Sequence, residues 1–516
     1  MQETSTTKIL PLTGAEYLDG LRDDREVWIY GERVKDVTSH PAFRNSARSV
    51  ARLYDALHDP QYRSVLNTET DTGNGGFTHP FYRAPHSRDD LVASRNAIAA
   101  WQRLTFGYMG RSPDYKASFL ATLGANADFY KPYQENARRW YRQAQERVLF
   151  LNHAIVHPPV DRAKPADEVA DVCVHVEKET DQGLVVSGAK IVATGSALTH
   201  YNFVAHYGPP VRKKEFGVIF MVPMNAPGLK LICRQSYEMV AAHVGSPFDY
   251  PLSSRLDEND AILVFDKVLV PWENVFVYDA ERTSQFAFGS GFTPRSMFHG
   301  CVRLAVKLDF LSGLFLKAVE MTGMQDQRNV QVHLGEVLVW RTLFWNIAGG
   351  MIQDAVPWVG DTVQPNPGYM DAYRMLSVNA YGRIKELFEQ TLGSSMIYLC
   401  SNVADLKSSE LRPFIDRYIR GSDGRTAAER IKLMKLIWDA LASEFGSRHE
   451  LYERNYAGNW EDVRLQHLMG ATARGDVDAL KGFVDQCLSE YDMDGWKLPG
   501  MINPDDVNVF TTKRAR

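Results

Sequence analysis

Cysteine is sparse in this chain: Cys173, Cys233, Cys301, Cys400 and Cys487 are spread over 516 residues, odd in number and without a C-x-x-C pair. That pattern excludes a disulfide framework and fits a reduced compartment. No apolar run of roughly 18 residues is present, which excludes a membrane-spanning helix. The opening Met-Gln-Glu-Thr-Ser-Thr-Thr-Lys lacks the apolar core of a secretory leader. A cytoplasmic location is the expectation. No Lys/Arg-rich run stands out and the net charge is only −5, so nucleic acid is not an expected partner. The glycine cluster of Thr68-Glu-Thr-Asp-Thr-Gly-Asn-Gly-Gly76 has neither the Gly-Lys-Ser/Thr ending of a P-loop nor G-x-G-x-x-G spacing, and reads as a surface loop. Internal repeats and low-complexity segments are absent.

What is there is an ordinary globular composition, 45% hydrophobic and 23% charged. Apolar spacing is mostly helical up to residue 150, as in Ala42 to Leu57 and Leu91 to Tyr108. From 160 to 280 it changes to short β-branched runs such as Leu184-Val-Val-Ser-Gly188, Val218-Ile-Phe-Met-Val222 and Ala261 to Val270, at hairpin-like intervals. The helical period returns in Val302 to Met321, Leu334 to Ala355, Tyr373 to Leu392 and Ala427 to Phe445. This order predicts an α+β protein: a mainly helical N-terminal domain over 1–158, a β-barrel or sandwich domain over 159–282, and a helical bundle over 283–516.

Two segments carry chemistry. Phe106-Gly-Tyr-Met-Gly-Arg-Ser-Pro-Asp-Tyr115 places a guanidinium and a phenol four residues apart among apolar neighbours. Phe150-Leu-Asn-His-Ala-Ile-Val-His-Pro-Pro-Val-Asp-Arg162 sets a histidine in apolar surroundings. Together they point to an aromatic substrate with a polar ring substituent beside a cofactor. The bland alternatives are a helix-end Arg111 paired with Asp114, a core Tyr115 and a satisfied core His153. His153 and His157 have the i,i+4 spacing of metal ligands on a helix, but Pro158-Pro159 would end any such helix and no third ligand accompanies them, so no metal is expected.

Asp181 to Gly195, followed by Phe265-Asp-Lys-Val-Leu-Val-Pro-Trp-Glu-Asn-Val275, resembles the middle β-domain of the acyl-CoA dehydrogenase superfamily. The whole chain resembles, more specifically, the 4-hydroxyphenylacetate 3-monooxygenase large-component family. The resemblance rests on five ordered motifs: Tyr30-Gly-Glu-Arg-Val-Lys-Asp-Val-Thr38, Gly110-Arg-Ser-Pro-Asp-Tyr115, Asn152-His-Ala-Ile-Val156, Ser246-Pro-Phe-Asp-Tyr-Pro-Leu-Ser-Ser-Arg255 and Arg448-His-Glu-Leu-Tyr-Glu-Arg-Asn-Tyr456. Within the family it looks like the actinobacterial-type members acting on coumarate-like or tyrosine-derived phenols.

The resemblance implies a two-component flavin monooxygenase. FADH2 from a separate NAD(P)H flavin reductase and O2 would form a flavin C4a-hydroperoxide, which hydroxylates a 4-substituted phenol ortho to its hydroxyl to give a catechol. It implies a homotetramer, and it makes Arg111, Tyr115 and His153 the catalytic and substrate-binding residues. Flavin contacts map by the same resemblance onto His153, Ala154, Ile155, Pro159, Val160, Asp161, Arg162, Thr194, Asn455, Tyr456, Ala457 and Gly458. A lid is expected at His206 to Glu215, where the family touches the substrate's far end. Pro209 and Pro210 replace the small hydroxyls suited to a carboxylate tail there, which counts against phenylacetate as the substrate. Phe445 and the aromatic segment Ser284 to Phe292 are further candidates for the pocket wall, or core. The competing readings are an acyl-CoA dehydrogenase-like oxidoreductase or dehydratase, and a non-enzymatic flavin-binding scaffold.

Overall fold

The computed structural model describes residues 8–161 and 164–501. One compact unit reaches to Ala457 and a second begins at Gly458. The first contains two sheets and most of the helices, in the expected order of helices, strands and helices.

The first strands come earlier than the β-rich region read from the sequence. Glu26–Ile29 (β1) and Glu32–Val34 (β2) form a hairpin whose corner residues, Tyr30 at φ 53° and Gly31 at φ 79°, both adopt the left-handed conformation of a two-residue turn. The later strands are Leu151–Ala154 (β3), His175–Thr180 (β4), Gly183–Lys190 (β5), Tyr201–Val204 (β6), Val218–Pro223 (β7), Leu229–Cys233 (β8), Ala261–Pro271 (β9) and Val275–Tyr278 (β10). They make a six-stranded sheet ordered β2-β1-β8-β9-β5-β4 and a four-stranded sheet ordered β10-β7-β6-β3. β1 joins parallel to β8, so the N-terminal region donates an edge hairpin to the β unit. Phe265 of the six-stranded sheet meets Phe220 of the four-stranded one edge-on at 5.7 Å between ring centres. Leu184, Val186, Leu263 and Val222 fill the same interior, the alternation expected of strands with one buried face.

β3 ties the two sheets together. It pairs parallel with β6, His153 opposite Phe203, and the chain beyond it is bonded on both sides: Tyr207 N–H donates to Ile155 O and Ile191 N–H donates to Val156 O. His153 and His157 therefore lie on an extended segment, where the helical i,i+4 argument does not apply.

Seven helices frame the β unit. Arg88–Leu104 (α1) starts at Ser87, whose hydroxyl accepts from Asp90 N–H. Pro113–Lys116 (α2) is a single turn with proline at its start. Gln134–Arg147 (α3) precedes β3. Phe292–Met321 (α4), Arg328–Gln353 (α5) and Pro367–Leu392 (α6) are the long helices of the bundle. Glu444–Asn455 (α7) follows the C-terminal part of the same bundle. α4 is buried on nearly all sides through its first half, which makes it the bundle's central member.

The second unit has two helices, Trp460–Ala473 and Asp476–Ser489. Leu465, Leu468, Met469, Leu480, Phe483, Val484 and Leu488 are exposed on it. Among the described residues no helix is long and apolar enough to cross a membrane.

Candidate active site

The turn at Phe106 and Gly107, with φ of 56° and 75°, swings the chain so that Arg111 and α2 face β3. A side chain at Gly107 would strike the backbone of Lys307 on α4, so that turn sits directly against the central helix. Ser112 Oγ and the Tyr115 N–H both donate to Asp114 Oδ1, at 2.5 and 2.9 Å. The other oxygen of Asp114 lies 3.0 Å from His299 Nε2 on α4, both side chains being fully buried. His299, Ser112 and Tyr115 thus account for Asp114. The expected bland pairing of Arg111 with Asp114 does not occur among the contacts of either residue.

Arg111, Tyr115 and His153 converge. The Tyr115 hydroxyl is 3.4 Å from His153 Nε2, and the Arg111 guanidinium lies 4.5 Å from the centre of the Tyr115 ring. His153 Nδ1 and Arg111 Nη1 are buried without a protein hydrogen-bond partner. Burial, then Lys116 and Arg111 nearby, pulls the imidazole of His153 well below its ordinary value, so it is neutral at pH 7. Phe292 packs edge-on against its ring at 5.4 Å, with Phe286 stacked behind. Phe292 is thus the member of the 284–292 segment that reaches the site. Phe445 is core: it stacks on Tyr108 and meets His449.

Residues not singled out for these roles in the sequence complete the shell. Lys116 is buried and donates to Asn152 Oδ1, and Asn152 in turn donates to Ser196 and Asn202. Burial, followed by the Arg111 charge, pulls the Lys116 ammonium well below its ordinary range. Tyr452 and Tyr456 of the α7 segment lie over Arg111 at 5.0 and 5.1 Å. Glu258 accepts from the Arg111 backbone N–H and lies 3.5 Å from Arg448. Arg448 holds Asp260 at 2.7 and 3.0 Å, and the Thr194 hydroxyl donates to Asp260 at 2.6 Å. Burial raises the Asp260 carboxyl, but Arg448, Arg234 and Thr194 together hold it well below the usual range.

The remaining predicted cofactor residues fall into three places. Ala154 is buried, while Val156, Val160 and Val192 expose apolar side chains along the segments that continue β3 and β5. Pro159 and Asp161 lie on the same exposed stretch. Arg162 lies outside the described residues. Asn455 and Tyr456 end α7, and Ala457 O accepts from Arg374 at 2.9 Å. Gly458, at φ 111°, opens the second unit. The apolar exposed edge beside His153, with its unpartnered buried nitrogen, fits a flat heteroaromatic ring with polar edge atoms, as a flavin presents.

At the base of the 206–215 loop His206 Nε2 is 2.8 Å from Pro209 O, and the His206 ring is 5.5 Å from that of His157. Lys190 Nζ lies 3.3 Å from His157 Nε2. Burial pulls Lys190 down to about 7.

A mixed helical and β fold that brings a caged arginine, a tyrosine and a neutral histidine together beside an apolar edge defines a candidate flavin-dependent enzyme of aromatic chemistry. Its sequence relatives narrow that class. Residues 13–277 match the 4-hydroxyphenylacetate 3-hydroxylase N-terminal region and 283–485 the C-terminal region; the chain belongs to this family. It is 62% identical over 501 residues to the 4-nitrophenol 2-monooxygenase oxygenase component of a Rhodococcus species, covering 97% of this chain and 96% of the relative. It is 56% identical, over 97% of this chain and 94% of the relative, to a Streptomyces globisporus monooxygenase named for a (3S)-3-amino-3-(3-chloro-4-hydroxyphenyl)propanoyl group on a peptidyl-carrier protein. The crystal structure of a 4-hydroxyphenylacetate 3-monooxygenase oxygenase component with FAD and 4-hydroxyphenylacetate superposes with a TM-score of 0.87 at 31% identity, covering 93% of this chain and 99% of that one. The expected family, the α+β architecture, the monooxygenase class and FAD as cofactor are those found.

Proposed function

We propose that this protein is the oxygenase component of a two-component hydroxylase, converting a 4-substituted phenol to a catechol at the carbon ortho to the hydroxyl. The observation that carries the reading is the Arg111 guanidinium, held among tyrosine rings with Nη1 unpartnered, next to the Tyr115–His153 pair. Bound reduced FAD supplies, with O2, the electrophilic oxygen and the electrons. One oxygen atom enters the ring, the hydrogen on that carbon leaves as a proton, and the second oxygen departs as water.

The residues of the chain prepare the ring for this. A guanidinium facing the phenol oxygen favours phenolate, and phenolate character raises electron density at the ortho carbon. His153 is neutral and offers Nδ1 to the phenol proton, its Nε2 being engaged by Tyr115. Phe292 and Tyr456 close the apolar walls, limiting water beside the reacting atoms. Val156, Val160 and Val192 offer the flavin ring an apolar bed, and Thr194 and the 455–458 segment approach its edge.

Reduced flavin arrives from a separate NAD(P)H-dependent reductase by diffusion. The protein works as a homotetramer in the cytoplasm; the exposed leucine- and phenylalanine-bearing faces of the two C-terminal helices support self-association. The division at 158 and 282 matches the change from α3 to the β strands and from β10 to the bundle. Loop 206–215 lies over the para substituent, and its Pro209 and Pro210 favour a tail without a carboxylate.

The test is aerobic turnover with a generic flavin reductase, NADH and FAD. The panel is 4-nitrophenol, a 4-chlorophenol, 4-coumarate, 4-hydroxyphenylacetate and tyrosine derivatives, free and carrier-bound. Catechol is scored apart from peroxide. Catechol from at least one tail type is expected. Peroxide alone across the whole panel contradicts the reading.

A further inference from the structure

Arg111 is held in an unusual way for a buried cation. No side-chain carboxylate bonds its guanidinium; three tyrosine faces surround it instead, Tyr115 at 4.5 Å, Tyr452 at 5.0 Å and Tyr456 at 5.1 Å. The acids within reach are committed elsewhere. Glu258 accepts from the Arg111 backbone and lies beside Arg448, and Asp260 is shared among Arg448, Arg234 and Thr194.

The rings themselves are fixed. Tyr456 Oη donates to Ser296 O at 2.8 Å, and Tyr452 and Tyr456 stack on each other with centres 5.1 Å apart. A Cβ at Gly110 would come within 2.7 Å of Tyr452 Oη, and one at Gly300 within 2.5 Å of the Tyr456 ring. From beneath, Arg303 presses on both rings, at 5.1 and 5.9 Å. Burial keeps both phenols protonated by raising them well above their ordinary value.

We propose that Tyr452 and Tyr456 are positioning residues that orient the Arg111 guanidinium through their ring faces and leave its charge and its Nη1 edge for an anionic phenol oxygen. A carboxylate would orient the arginine equally well, but it would compete with the phenolate for the same charge. A ring face attracts the cation through its quadrupole while adding no negative charge. The inference rests on the phenol hydroxylase reading and assigns the task to two residues some 340 positions along the chain from the arginine they serve.

The experiment uses the FAD-loaded enzyme and 4-nitrophenol, whose phenolate absorbs visible light. Difference spectra against pH yield the pKa of the bound phenol for wild type, Tyr452→Phe, Tyr456→Phe, Tyr452→Leu and Tyr456→Leu, with FAD affinity and thermal midpoint measured alongside. Wild type and both Phe variants should lower the bound phenol's pKa. Each Leu variant should raise it towards the free value by about one unit, a tenfold loss of preference for phenolate, with the loss in catechol formed per flavin oxidised rather than in FAD affinity. Gly110→Ala, which displaces the Tyr452 hydroxyl without removing the ring, should shift it less and in the same direction, and serves if a Leu variant does not fold. Folded, FAD-loaded Leu and Gly110→Ala variants with a wild-type pKa overturn the inference and leave the proposed function standing. Equal losses in Phe and Leu variants overturn it too, since hydroxyls rather than faces would then act. A wild-type enzyme that does not lower the pKa overturns both.

Discussion

Two clusters of buried cations lie on opposite sides of the Tyr452 ring, and they are solved differently. Below it Arg303 grips Glu453 with two bonds, at 2.5 and 2.7 Å, Lys307 reaches the same carboxylate at 2.9 Å, and His449 lies 3.2 Å from Lys307. Above it Arg111 has aromatic faces and an unpartnered Nη1. The lower cluster is internally satisfied, so it holds α4 to α7 and has nothing left for a ligand. The upper one keeps a charge that the protein has oriented and not neutralised. A buried ion pair is weak evidence of function, whereas an oriented, uncompensated cation in a pocket wall is strong evidence.

Substitutions can break this contrast or sharpen it. The largest effect is expected from Glu453→Gln, which strands two buried cations and should cost about 3–5 kcal/mol of stability in chemical denaturation. Burial opposes ionisation of Glu453, but Arg303 and Lys307 hold its carboxyl down at about 2. Its unfolded value is near 4.5, so its contribution is full above that pH and fades as pH falls towards 2. An acid-unfolding midpoint that does not move in Glu453→Gln would contradict this.

Arg111→Met should do the opposite. Catechol formation is expected to fall by about 10²–10³-fold, as for loss of one oxyanion donor, while the denaturation midpoint stays level or rises. A large stability loss would place Arg111 with the structural cations after all. Lys190 is an intermediate case: its only listed charge partner in strength is the Cys173 thiol, and burial depresses it to about 7 against 10.5 unfolded. Between those values the unfolded chain binds the extra proton, so stability rises with pH; Lys190→Met should flatten that rise in denaturation curves. The smallest effect belongs to a matched pair near the surface. Arg383 bonds Glu336 at 2.6 and 2.9 Å with both side chains about one-third exposed, and Arg383→Gln should cost roughly 0.2–1 kcal/mol by the same assay.

The reach of the sequence follows from how local each feature is. Arg111, Tyr115 and His153 were legible because two short segments contain them and their order matches a family pattern. The helices and most strands were legible from apolar period. The β1–β2 hairpin was passed over although Val27, Ile29 and Val34 alternate around Tyr30-Gly31, because a lone hairpin among helices has no partner until β8 is brought beside it. The Asp114–His299 contact and the Tyr452 face over Arg111 join positions far apart in the chain. Nothing in the spacing of either segment announces them. Lys116 was hidden differently: its neighbours Tyr115 and Asp114 were legible, but that its ammonium is buried emerges only from the packing of Asn152, Ser196 and Asn202 around it.

The double pairing of β3 bears on how this family of enzymes can change. Side chains on a strand alternate, so a shift of one position exchanges His153 for Ala154 or Asn152 at the site. With β6 on one flank and Ile191 on the other, a deletion or insertion between residues 149 and 157 cannot be absorbed by slippage on either side. Lineages can therefore explore new phenols by point replacement in this segment and by length variation in loop 206–215, but length variation in the segment itself is closed to them.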